Sequence, residues 1–106
     1  MIVYSVAYSV PTEIVTDWEQ FFLEEHLEEM VNSGHFTGYS FRKVLAAPDT
    51  KIITFIAEYY CKSVDDMKAY NELSAEALKA IVLEKFGDQF KAVRALFFVL
   101  SEKTLA

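Results

Sequence analysis

The chain is poor in the residues that staple, bend or tether a protein. A single cysteine, Cys61, has no partner for an internal disulfide, which makes a reducing cytoplasm the natural compartment. Three glycines and two prolines exclude disordered and low-complexity classes. Basic residues are scarce, ten against sixteen acidic ones, and the net charge of −6 argues against nucleic acid or an anionic membrane as partner. Arg42 with Lys43, and Lys91 with Arg94, are too sparse for a patch that tracks phosphates. No apolar run approaches a membrane span. Met1 leads straight into the alternating stretch IVYSVAYSV with no basic flank, so no N-terminal signal is expected.

What the chain does have is apolar surface. Hydrophobic residues make up 53% of its 106 positions and aromatics 15%, so a single domain spanning 1–106 is expected. Residues 2–10 alternate strictly, with Ile2, Tyr4, Val6, Tyr8 and Val10 on one face of a strand that Pro11 ends. A long amphipathic helix should follow as far as about Ser33, with Gly34 supplying its left-handed end. At about 100° per residue, Trp18, Phe22, His26 and Met30 share one slowly drifting stripe, while Asp17, Glu24 and Glu28 face water.

The spacing then predicts a strand over 39–46, a turn at Ala47-Pro48-Asp49-Thr50, and a strand over 51–61 that pairs back as a hairpin. Ser63 with Asp66 reads as a capping box, so a second helix starts near Val64. Met67, Tyr70, Ala77, Leu78, Ile81, Val82 and Phe86 form its buried side, and Ser74 leaves a break near Leu73 open. Gly87 ends it, a strand over 90–100 closes the pattern, and 101–106 is expected to be a loose tail. The order βαββαβ predicts an α+β, ferredoxin-like fold: a four-stranded antiparallel sheet with two helices on one face.

Two helices cover only one sheet face, yet the third and last strands are apolar on both. Ile52, Thr54, Ile56 and Tyr60, broken only by Glu58, oppose Ile53, Phe55, Ala57 and Tyr59, and Val93, Ala95, Phe97 and Val99 oppose Phe90, Leu96, Phe98 and Leu100. An exposed apolar face of that extent is unusual for a monomer. A homodimer packed sheet against sheet is therefore expected, against the simpler alternative of local cover by long side chains and the tail.

The MIVYSV opening, Trp18 with Phe22 and His26, the Ser33-Gly34-x-Phe36 exit, Cys61-x-Ser63-x-Asp65-Asp66-Met67 with Tyr70, Phe86-Gly87-Asp88 and Ala92-x-Arg94 together carry a likeness. The chain resembles a family of small bacterial proteins known only as a domain of unknown function. That family is placed near the dimeric α+β barrels of the antibiotic-biosynthesis monooxygenase type. The resemblance implies the fold and a dimer but no established activity. Where the family follows its helical histidine with Ile-Pro, this chain has Leu27-Glu28, so its helix need not kink after His26.

Candidate site residues follow from chemistry out of place. His26 is a titratable ring inside an aromatic stripe, either a ligand anchor or acid/base group, or a core histidine bonded to a backbone carbonyl or a tyrosine. Glu29, one turn on, would raise its pKa by pairing with it. Arg94 interrupts a strand and either pairs with a carboxylate such as Glu58 or binds an anion. Trp18 and Phe22 complete the candidate ligand-binding set. Tyr4, Tyr8, Tyr59 and Tyr60 are core or interface first and ligand walls second. No CxxC or HExxH spacing exists, so neither a metal nor a cofactor is expected, and Cys61 reads as packing. The function expected is the binding of a small apolar or aromatic molecule near His26. Its alternatives are a cofactor-independent monooxygenase- or isomerase-like enzyme and a non-catalytic dimerisation or regulatory module.

Overall fold

The computed structural model describes residues 1–45 and 51–105. Strand β1 (Ile2–Pro11) lies at the centre of a sheet ordered β2-β3-β1-β4, with β2 (Gly38–Lys43), β3 (Ile52–Cys61) and β4 (Lys91–Phe98) all antiparallel to their neighbours. This is the ferredoxin-like order expected from βαββαβ. Pro11 has no N–H for the ladder, and the next donor, the Thr12 N–H, bonds the Lys51 carbonyl at 3.0 Å as the chain leaves the sheet. The predicted turn at Ala47–Thr50 lies outside the described residues.

Helix α1 occupies 12–32 as one continuous run whose pitch changes along its length. A 3₁₀ turn at Thr12–Ile14 leads into α-helix at Val15–Phe21, a wide π turn at Phe22–His26, and α-helix again at Leu27–Asn32. The Leu27 N–H reaches back five residues to the Phe22 carbonyl instead of four. Gly34, at φ 91°, ends the run, its N–H bonding the Val31 carbonyl at 3.1 Å.

The second helix is two. Ser63 caps α2 (Val64–Leu73), its Oγ accepting the Asp66 N–H at 3.2 Å and donating to the Asp66 carboxylate at 3.1 Å. After Ser74 the chain restarts as α3 (Ala75–Phe86), which resolves the open question of a break. The restart turns Ala75 into the core and leaves Ala77 exposed, contrary to the single-helix reading. Gly87 follows at φ 62°, ψ −142°, its N–H on the Leu83 carbonyl at 2.7 Å.

All helices lie on the face made by the even residues of β1. Register puts Ala57, Tyr59 and Phe55 of β3, and Ala92, Arg94 and Leu96 of β4, on that same face. Trp18, Phe22, Leu27 and Val10 are fully sequestered there, and Trp18 packs on Tyr8, Phe22, Phe86 and Phe90 with ring centroids 4.7–5.0 Å apart. Among the described residues the opposite face carries no helix. There Val93 is 71% and Phe97 50% exposed, beside Ala7, Ala95 and the half-buried Ile56 and Tyr60. Arg42 and Glu58 form an ion pair across β2 and β3 on this side. Residues 101–105 are exposed and carry no regular structure. Among the described residues, no helix is long and apolar enough to cross a membrane.

Candidate functional site

Between α1, α3 and the β1–β4 half of the sheet lies a cavity of about 260 Å³. Strand β1 supplies Tyr4, Val6 and Tyr8, spaced by two and so all on the helix side. Helix α1 supplies His26 and Met30, and α2 supplies Tyr70. Helix α3 contributes Leu78, Lys79 and Val82, and β4 contributes Ala92 and Arg94.

His26 is 3% exposed, yet its ring forms part of the cavity wall. It stacks on Phe21 at 5.7 Å between centroids and meets Phe22 edge-on at 4.9 Å. Its Nδ1 has no hydrogen-bond partner among the described residues, and the Glu29 carboxylate lies 3.9 Å away, too far for a hydrogen bond. The bond to a backbone carbonyl or tyrosine expected of a core histidine is therefore not what Nδ1 makes. Burial pushes the imidazole down to about 4, so it is neutral at pH 7. Burial also raises the Tyr8 and Tyr70 hydroxyls above their ordinary value, and both stay protonated. Tyr70 points its hydroxyl at the Met30 sulfur, 3.7 Å away.

Arg94 corrects the sequence expectation. In the ladder Ser5 faces Glu58 while Val6 faces Arg94, so the two charges project from opposite faces of the sheet and cannot meet. Glu58 pairs with Arg42 instead. Arg94 donates through Nε to the Tyr4 hydroxyl at 3.1 Å, at the cavity's edge. Of the four candidates, His26 and Arg94 thus come together on one cavity. Trp18 and Phe22 are not lining residues; they pack against Tyr8, which is. Among the described residues no group of three or more metal-ligating side chains converges.

Sequence reasoning missed Lys79, Leu78 and Val82 as wall residues, since their spacing on a helix says only that they face inward or border the core. It also missed the wide turn, for which a signal existed. The apolar pair Phe21-Phe22 recurs as His26-Leu27 after five residues, an interval that a regular α-helix does not keep on one face. At 100° per residue Leu27 would stand about 140° round from Phe22. The π turn brings it back, and Leu27 is fully buried.

Residues 1–100 match the family model described as Domain of unknown function (DUF4286). The chain belongs to that family. No curated protein matches this DUF4286 chain. Among solved structures it is similar to the heme-degrader MhuD of Mycobacterium tuberculosis, determined with two hemes in its active site. The TM-score there is 0.67 and identity 17%, over 98% of this chain and 100% of that one. A Nitrosomonas europaea protein assigned to the antibiotic biosynthesis monooxygenases gives a TM-score of 0.60 at 18% identity, over 95% and 100%. A dimeric ferredoxin-like protein from an uncultured marine organism gives 0.63 at 18%, over 99% and 100%. At such identities the likeness of this DUF4286 chain to them is one of fold.

Proposed function

We propose that the protein is a homodimer in which each copy binds a small apolar or aromatic molecule in the cavity beside His26. The observation that carries the binding reading is the cavity itself. It is walled by apolar side chains and reaches an imidazole that is neutral and has an unpartnered nitrogen. That combination of apolar walls with a few convergent polar groups is what small-molecule sites share. The part beside His26 suits a compact group: about 150 Å³ holds a benzene, so 260 Å³ admits one or two fused rings.

Binding is better supported than catalysis. A general base works best with a pKa near the operating pH, and an imidazole at about 4 has little proton affinity at pH 7.

Support for the dimer comes from Val93 and Phe97, half or more exposed on a sheet face without helices, and from the dimeric assembly named for a structural neighbour. Two measurements test the proposal. Sedimentation at micromolar concentration should give a dimer, and Phe97→Glu should give monomers or aggregates; a well-folded wild-type monomer would refute the assembly. A screen of one- and two-ring compounds, read by Trp18 emission, should yield a ligand that His26→Phe no longer binds. Unchanged affinity in that variant would remove His26 from the site.

A further inference from the structure

The cavity beside His26 is the inner end of a longer groove. A second hollow of about 300 Å³ adjoins it and shares Tyr4, Lys79 and Arg94 with it. A third, of about 430 Å³, shares Met67, Asn71 and Leu96 with the second and runs between α2 and the free edge of β4. Its walls include Ile2, Val64 and two side chains that the helices leave uncovered, Leu96 at 57% and Phe98 at 68% exposure.

The charge along this groove runs against the composition of the chain. Acidic residues outnumber basic ones sixteen to ten, yet among the described residues no Asp or Glu lines any of the three hollows, whereas Lys68, Lys79 and Arg94 do. Glu29, the carboxylate nearest His26, is not a wall residue. Lys79 has no ion-pair partner among the described residues. Arg94 meets no carboxylate there either, and its bond to Tyr4 engages Nε alone. One guanidinium edge is thereby held while the terminal nitrogens remain for a planar acid group. The inner end differs: His26 is neutral and the tyrosines protonated, which suits an uncharged ring or chain end.

We infer that the ligand is an organic acid whose carboxylate sits at the Tyr4–Lys79–Arg94 junction, with one apolar end beside His26 and further apolar substituents in the α2–β4 groove. This rests on the binding reading above and adds the ligand's charge and shape to it. Both cations stand at a half-open mouth, so solvent screens part of their attraction. Charge-assisted bonds at such a site are worth roughly a tenfold gain in affinity.

The test compares 3-phenylpropionate and octanoate with their uncharged counterparts, 3-phenyl-1-propanol and 1-octanol, by calorimetry at pH 7.5 on the full chain. Each acid should bind about tenfold more tightly than its alcohol. The double variant Arg94→Gln/Lys79→Gln should lower the acid's affinity to that of the alcohol. The variant should bind acid and alcohol equally, with circular dichroism matching that of the wild type. Equal binding of acid and alcohol to the wild type would overturn the inference and leave the pocket reading standing. An acid preference that survives the double variant would overturn the placement of the carboxylate. Failure of all four compounds to bind would refute the pocket reading, and this inference with it.

Discussion

Protonating His26 should cost the folded state a measurable share of its stability. The ring is 3% exposed and its pKa is held down to about 4, against about 6.5 in the unfolded chain. Above pH 6.5 the ring is neutral in both states and contributes no pH dependence. As pH falls from 6.5 to 4 the unfolded chain binds the proton and the folded chain does not, so stability falls; below 4 both states are protonated and the slope vanishes. Each pKa unit is worth 1.36 kcal/mol, so the loss across that window is about 3 kcal/mol. The chain also carries sixteen acidic side chains, which is why the quantity to measure is a difference. Urea unfolding of wild type and His26→Phe, in half-unit steps from pH 7.5 to 4, should give curves that diverge below 6.5. The wild type should lose about 3 kcal/mol more than the variant by pH 4. Glu29 is the group that could reverse the sign, since its carboxylate lies 3.9 Å from Nδ1 and would favour the imidazolium. Parallel curves, or a wild type that gains on the variant as pH falls, would show that this pairing outweighs burial and refute the reasoning.

Trp18→Ala should destabilise by about 3–5 kcal/mol, because a fully buried indole packed on four rings leaves a large cavity, and chemical denaturation measures it directly. The emission maximum of native Trp18 should lie well to the blue of the unfolded chain's. Gly87→Ala should cost about 1–3 kcal/mol through backbone strain alone. The added methyl would meet no atom within 4 Å, and φ 62° with ψ −142° is a conformation other residues rarely adopt. Removing the α2 cap with Ser63→Ala should cost about 1 kcal/mol, read from the same denaturation curves.

Period-two alternation made the sheet legible. Tyr4, Val6 and Tyr8 could be assigned to one face from spacing alone, and the structure keeps them together on the cavity wall. The His26 stripe was legible for the same reason at the helical period, because Phe22, His26 and Met30 differ by four, and all three are buried. Register was not legible. Whether Arg94 faces Glu58 depends on which β1 residue pairs with each, and a shift of one residue exchanges the faces. Lys79 was invisible for a different reason: a lysine bordering an apolar helix face usually lies along the surface with its charge in water. Only tertiary placement beside Arg94 and Tyr4 sets it apart.

The wide turn in α1 also has a consequence for which length changes the protein can tolerate. A five-residue reach holds one residue more than a regular turn, and Leu23, Glu24 and Glu25, within it, are exposed. Deleting Glu24 would let the turn close to ordinary α-helical pitch, with Leu27 and Met30 still directed at the sheet. A deletion at Gln20 or Glu28 has no such slack to consume and would swing every later side chain about 100° around the axis. Chains of this family that differ by a single residue in their first helix are therefore expected to carry the difference between Phe22 and His26. The histidine, which follows the difference in the chain, would then keep its place on the wall together with Leu27 and Met30.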